Sequence, residues 1–385
     1  MKILIFSDMR NMENASSTQI MVYNLVWGLH KKYKDIIFLP IVGSEKENQS
    51  LIETFRPITN KTILMPTGTN IMANGNRPLY GMIMGALCFF RNAWYMKYVK
   101  KMLSEYDSFD VIVSHSPSVE PVFYAKAARK LFPNARYVQF WSDPYARSNL
   151  AMHLPLPFKR RLMAKIENAV LRYPDEIIYG TDTLYQAQSL QFPKRRNKMR
   201  PCDVSYNMFN ASGEKKITFS GNGKVCGYVG NYFKEIRNIE PCYQAFAEHP
   251  ELGNLVLCGS GNASVIPQDN IALVSRCSPA EATAIENGLD VLICVLNVKT
   301  AQIPGKVFYQ TNSGKPIVVI LDGPDWKEIY QYLKKFDRFE FCENNPESIS
   351  ECIKRIQQGE YSAKLDTPEM LAPEMFAASV IEKTV

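Results

Sequence analysis

An α/β protein built from two doubly wound domains is the fold this sequence predicts, on three observations. Short apolar runs alternate with amphipathic helical segments over most of the chain, the pattern of parallel sheets made from βαβ units. At 385 residues the chain exceeds one comfortable hydrophobic core. A polar stretch over residues 193–223 breaks the alternation once, between two series of strands.

In the first half, strands are expected at 2–6 (KILIF), 36–39, 62–65, 111–114, 136–140 and 176–179. Helical periodicity lies between them, at 17–31, 78–105, 119–131, 157–172 and 182–190. The second half gives strands at 225–229 (VCGYV), 254–258, 271–274, 290–295, 316–320 and 338–341, with helices at 237–248, 279–287 and 304–313. The expected domains are therefore 1–195 and 224–363, joined by a linker at 196–223. A helical piece at 364–385 is expected to pack back on the first domain. Two such domains in tandem place a ligand in the cleft between them, at the carboxyl ends of the strands.

Composition narrows the function classes. Apolar residues at 46% and charged residues at 22% are ordinary for a soluble globular chain. The net charge of +7 is gathered in clusters at Lys31-Lys32, Lys100-Lys101, Lys159-Arg160-Arg161 and Lys194-Arg195-Arg196. Such clusters suit a phosphorylated ligand or an anionic membrane face, and no nucleic-acid partner is expected. The nine cysteines include no Cys-x-x-Cys pair, which argues against zinc and disulfide frameworks and for a reducing cytoplasm. The opening MKILIFSDMR has too short an apolar run for a signal-peptide core. The run at 81–90 is about half of what a membrane span needs. A cytoplasmic protein is expected, at most peripheral at the inner membrane face. The basic, aromatic segment 77–102 and Lys159-Arg160-Arg161 are the places for that contact.

Three stretches of the second half carry phosphate-binding chemistry. In VCGYVGNYFKEIRNIEPCYQAF a buried strand ends at Gly230-Asn231, and Arg237 stands before a helix. A glycine at a strand end lets a ligand approach the backbone, and a cation at a helix start can meet an anion. In LVLCGSGN a strand runs into Gly259-Ser260-Gly261, a turn suited to the flat edge of a base, with Arg276 in the next loop. In IPGKVFYQTNSGKPIVVI, Pro304 fits a first helical turn and Gly305 removes side-chain obstruction. The free N–H groups of the helix start Pro304–Val307, from Gly305 onward, and the Lys306 ammonium then offer positive charge to a phosphate.

In this order and spacing the three stretches, with LDVLICVLN and PGKVFYQTNSGKP, resemble the nucleotide-sugar-binding half of GT-B glycosyltransferases, in particular the retaining family 4 group. The resemblance covers residues 225–322 well and VIVSHSPSVEP and QFWSDPYARS more loosely. It implies a GT-B fold and hexosyl transfer from a nucleotide-diphosphate sugar to a glycan, lipid-linked or protein acceptor, with retained configuration. No cofactor beyond that co-substrate is implied. The chain contains no Asp-x-Asp pair, so a metal-independent reaction is expected, with Arg237, Lys306 and the helix start neutralising the diphosphate. The family's two glutamates, eight positions apart, fall on Ala301 and Tyr309. Gln302 stands next to the first, and Tyr309 offers one hydroxyl to a ribose where a carboxylate would grip two.

On the acceptor side, Ser16, Ser17 and Thr18 open a helix. His115 ends a strand at a place that in the family lies beside the transferred sugar, and it is the catalytic candidate here. Asp143 ends another strand, with Pro144 forcing a turn. A noncatalytic homologue, acting as a sugar-binding or partner-stabilising subunit, is the second reading, favoured by the loss of both glutamates.

Overall fold

The computed structural model describes residues 1–9, 12, 15–42, 49–67, 86–116, 118–146, 157–209, 213–221 and 223–382. The chain divides into two compact units, Met1–Met208 with Ala372–Val385, and Phe209–Leu371.

The first unit holds a wholly parallel sheet of eight strands: β1 (Lys2–Asp8), β2 (Asp35–Val42), β3 (Lys61–Thr62), β4 (Met65–Pro66), β5 (Val111–Ser116), β6 (Arg136–Trp141), β7 (Glu176–Tyr179) and β8 (Met199–Pro201). Their order is β3-β2-β1-β5-β6-β7-β8, with β4 also on β2. Ile3, Leu4, Ile5 and Phe6 of β1 are all fully buried, as expected of a parallel strand covered on both faces. Helices α1 (Ser17–Lys32), α2 (Gln49–Phe55), α3 (Asn92–Met102), α4 (Glu120–Leu131), α5 (Pro157–Val170) and α6 (Asp182–Gln191) connect the strands. The strand expected at 62–65 is two short ones, because β3 pairs with Ile37–Phe38 and β4 with Ile41–Val42. Of the helix expected at 78–105, residues 78–85 lie outside the described residues.

Strand β8 lies inside the stretch read as linker from 196. Its charge hides it from a hydropathy pattern: Arg200 pairs with Glu176 of β7 at 3.3 Å and donates to the backbone carbonyls of Ser379 and Glu382. Those carbonyls lie in the last turn and at the C-cap of the last helix, which joins this unit. At Gly28 of α1 an added Cβ would lie 2.0 Å from the Pro373 carbonyl oxygen, so glycine is required for that approach.

The second unit holds β9 (Val225–Val229), β10 (Asn254–Gly259), β11 (Ile271–Ser275), β12 (Val291–Val295), β13 (Ile317–Leu321) and β14 (Glu340–Glu343), all parallel. The order is β11-β10-β9-β12-β13-β14. The chain thus winds outward from β9 one way, returns, and winds the other way from β12. That is the doubly wound arrangement whose switch point lies at the carboxyl ends of β9 and β12. Helices α7 (Glu240–Glu248), α8 (Pro279–Asn287), α9 (Gly305–Tyr309), α10 (Trp326–Lys334) and α11 (Pro346–Gln357) flank the sheet, and α12 (Pro373–Ile381) follows. Helix α9 is five residues long, against the 304–313 expected. The chain leaves it through a turn ending at Gly314, whose φ of 69° ordinary residues avoid. Strand β14 starts two residues later than expected: its pairing with β13 begins at Glu340, opposite Val318, after a turn in which Asp337 has φ 51° and the buried Arg338 donates to the Thr311 carbonyl at 2.9 Å. Among the described residues, no helix is long and apolar enough to cross a membrane.

Candidate functional site

At the switch point of the second unit, the pairing of β9 with β10 continues past the strand ends. Gly230 donates to the Cys258 carbonyl at 2.8 Å, and Tyr232 donates to the Ser260 carbonyl at 3.1 Å. A Cβ at Gly259 would lie 2.0 Å from the Gly230 carbonyl oxygen, and one at Gly261 would lie 2.2 Å from that of Tyr232. Both glycines of the Gly-Ser-Gly turn are therefore demanded by the chain's own backbone. Their role as a rest for a base is not needed to explain them. The Ser260 hydroxyl reaches Asn231 Oδ1 at 3.2 Å, and Arg276 is exposed after β11.

The loop from β9 to α7 is tied to the loop after β12. Val298 donates to the Ile236 carbonyl at 2.9 Å. Arg237 donates through Nε to Oδ1 of Asn297 at 3.0 Å, and Asn297 Nδ2 donates to the Gln302 carbonyl. Asn297 is buried and acts as the hub between two residues singled out from sequence. Its signal was a polar side chain closing the apolar run LICVLN.

Lys306 does not stand alone. Its ammonium forms an ion pair with Glu286 in the last turn of α8. Gln310 Nε2 donates to the same carboxylate oxygen at 2.9 Å, and Gln310 Oε1 accepts from the Cys294 thiol at 3.2 Å. Lys315, of the Gly-Lys-Pro stretch, donates to the carbonyls of Glu286 at 3.0 Å and Leu289 at 2.6 Å, closing the C-terminus of α8. Glu286 escaped sequence reading because it sits 20 residues from Lys306, on what reads as a solvated helix face.

Electrostatics join these groups. Burial pushes the Cys294 thiol up to about 12, and the charges of Lys306, Glu286 and Arg237 act on it in addition. Both cations are thus within electrostatic reach of one buried thiol beneath the switch point. Cys258 at the end of β10 is likewise pushed up to about 12 by burial, then by Cys277 at 3.5 Å, and it too feels Lys306 and Glu286.

Two of the expected contacts in this region lie on buried residues. The Val307 N–H is used within the turn, donating to the Pro304 carbonyl at 3.0 Å, and the Val307 side chain is fully buried. A helix of five residues with Pro304 at its N-cap also lacks the length for a strong dipole. The side chain of Tyr309 is buried, at 7% exposure. Apart from Pro304, Val307 and Tyr309, which are buried, the predicted donor-side residues of the second unit are partly or fully exposed, Arg237, Gln302, Gly305 and Lys306 among them.

In the first unit, Ser16 is occupied by a capping box with Gln19: its N–H donates to Gln19 Oε1 at 2.8 Å and its hydroxyl accepts from the Gln19 N–H. Ser17 is exposed at the first helical position. Thr18 and Asp143 are brought together, the Thr18 hydroxyl donating to Asp143 Oδ2 at 3.2 Å. The turn after Asp143 is held by the buried carboxylate of Glu167, which accepts from the Ala146 N–H at 2.9 Å. His115, the catalytic candidate, is fully buried. Its Nδ1 lies 3.1 Å from the Ser7 hydroxyl and its ring packs on Phe140. Burial holds its pKa down at about 3, so the ring is neutral and belongs to the core.

No family model and no curated protein matches the chain. Solved structures do. A lipopolysaccharide outer core galactosyltransferase, WaaB, superposes with a TM-score of 0.57 at 13% identity over 100% of both chains. The glycotransferase of kitacinnamycin gives 0.54 at 14% identity, over 99% of this chain and 98% of the other. The UDP-GlcNAc 2-epimerase from Neisseria meningitidis bound to UDP-GlcNAc gives 0.53 at 12%, over 99% and 98%. The chain has the GT-B glycosyltransferase fold.

Within this GT-B chain the two Rossmann-like domains carry their candidate groups differently. The second gathers Arg237, Asn297, Gln302, Lys306, Glu286 and Gln310 around one switch point. In the first, the described candidates that are brought together are Thr18 and Asp143, and His115 lies in the core.

Proposed function

We propose that this GT-B protein is a glycosyltransferase that moves a sugar from a nucleotide-diphosphate sugar to an acceptor hydroxyl, with Arg237 and Lys306 holding the diphosphate. The observation that carries the reading is that both cations are tied to the carboxyl end of β12 at the switch point of a parallel sheet, Arg237 directly to Asn297, and Lys306 through Glu286 and Gln310 to Cys294. Negative charge develops on the departing diphosphate as the glycosidic bond breaks. Cations already fixed by Asn297 and Glu286 stabilise it without reorganising, which is where such groups act most strongly. Gly230, Asn231 and Ser260 border the same edge and are proposed donor contacts, with the base towards the exposed Arg276. Similarity of fold to a galactosyltransferase and to an epimerase bound to UDP-GlcNAc supports a nucleotide sugar as ligand.

Retention of configuration and transfer of a hexosyl group rest on the sequence resemblance. The acceptor is a glycan, a lipid-linked saccharide or a protein, met on the first domain by Thr18 and Asp143. A cytoplasmic enzyme touching an anionic membrane face is part of the proposal. It is supported by Phe90, 87% exposed, and by the exposed Lys97, Lys100 and Lys101 of α3.

The test is product analysis with radiolabelled UDP-, GDP-, ADP- and dTDP-sugars and an acceptor extract. A new glycoside supports transfer. A 2-epimer of the donor sugar in its place would assign the chain to epimerisation. Binding of a nucleotide sugar with neither product favours the noncatalytic reading, for which Ala301 and the buried Tyr309 are the observations.

A further inference from the structure

We infer that Glu286 is a specificity-determining residue that makes the site favour the nucleotide-diphosphate sugar over the free nucleoside diphosphate left after transfer, through its ion pair with Lys306. The inference rests on the diphosphate reading above and adds a discrimination that the two cations alone would not provide.

Glu286 occupies a position that helix stability does not favour. In the last turn of α8 a carboxylate meets the negative end of the helix dipole, whereas the first turn, with Glu281 in a capping box with Ser278, suits an acid. It is nevertheless fixed from three directions. Lys315 donates to its carbonyl, and Gln310 and Lys306 donate to one oxygen of its carboxylate. Gln310 is itself held by the Cys294 thiol. The Glu286 side chain is 16% exposed and that of Lys306 37%, so the negative charge is fixed behind a cation that still faces solvent.

A fixed carboxylate behind the phosphate-binding lysine acts on charge differences. In a nucleotide-diphosphate sugar both phosphates are diesters with one negative charge each. In the free diphosphate the terminal phosphate is a monoester that loses a second proton with a pKa near 6. The substrate and the leaving product therefore differ by about one charge, on the phosphate proposed to sit at Lys306. Repulsion of that extra charge by Glu286, at roughly 6 Å and an effective dielectric between the about 20 of a protein surface and the about 80 of water, corresponds to about a tenfold difference in affinity. Donor is held and product is released more readily, and Glu286 offsets part of the stabilisation that Lys306 gives the charge developing on the leaving group.

The experiment is calorimetric titration of the full chain at pH 8 with UDP, GDP, ADP and dTDP, each beside its matching diphosphate sugar. Wild type, Glu286→Gln, and Glu248→Gln as an exposed charge control on α7 are compared. Glu286→Gln should tighten the free diphosphate about tenfold more than the diphosphate sugar. At pH 5.5, where the terminal phosphate carries its proton, the gap should shrink. Glu248→Gln should leave the ratio unchanged. If melting shows Glu286→Gln to be unfolded, Glu286→Ala supplies the same loss of charge and should shift the ratio the same way. A ratio within twofold of wild type, or a weaker grip on the free diphosphate, overturns the inference while wild-type binding leaves the diphosphate reading standing. Wild type that binds neither ligand overturns both.

Discussion

The guanidinium of Arg237 donates through Nε to Oδ1 of Asn297 at 3.0 Å, so a cation on the loop after β9 is held by a buried amide at the end of β12. These are the two strands between which the winding of the sheet reverses. Removing the amide should leave the cation in place but loose. Asn297→Ala is expected to lower turnover roughly tenfold, and Arg237→Ala roughly a hundredfold, in line with about 3 kcal/mol for one preorganised donor. Steady-state kinetics on both variants checks the order, and equal losses would remove the positioning role of Asn297.

Metal removal gives a second outcome. If Arg237 and Lys306 hold the diphosphate as proposed, their charges take the place of a divalent ion at the leaving group. Activity is expected to persist in excess EDTA. Complete loss, restored by magnesium or manganese, would contradict this assignment of charge.

Tyr309 yields a third. Its burial predicts that Tyr309→Phe leaves nucleotide affinity within about twofold. Tyr309→Glu puts an unpaired carboxylate into the core and should cost several kcal/mol, seen as a large fall in melting temperature. A stable Glu variant with tighter nucleotide binding would restore Tyr309 to the site.

The folded-state pKa of His115, about 3, lies below the ordinary value of 6.5 because burial disfavours the charged ring. Between these values the unfolded chain binds the extra proton. The stability this group contributes is therefore complete above about pH 6.5 and falls as pH drops towards 3, at up to about 1.4 kcal/mol per pH unit. Denaturant melts of wild type and His115→Gln from pH 7 to pH 4 should diverge by that slope. Parallel curves would mean that the ring takes up its proton without loss of the native state.

Much of this was legible from pattern. IVVIL at 317–321 and VLICV at 291–295 can only be buried strands of a covered sheet, and their alternation with helices fixes the fold class. Strand β8 was hidden by Arg200, whose charge is matched by Glu176 on the neighbouring strand and so is tolerated at a half-buried edge. Arg237 and Lys306 stood out in the sequence by the order and spacing of their stretches, and the structure gives each a fixed partner, Asn297 and Glu286. Glu286 and Asn297 were not, because their roles arise from contacts across the chain and not from spacing. His115 misled for the opposite reason: a polar residue at a strand end reads as exposed, and here Ser7 and Phe140 enclose it.

The central claim is that the second domain grips a nucleoside diphosphate through Arg237 and Lys306. Titration calorimetry of wild type, Arg237→Ala and Lys306→Ala with UDP, GDP, ADP and dTDP tests it most directly. At least one diphosphate should bind wild type, with each substitution weakening it roughly tenfold or more while the melting temperature of the ligand-free chain is retained. Binding of equal strength in wild type and both variants would contradict the account.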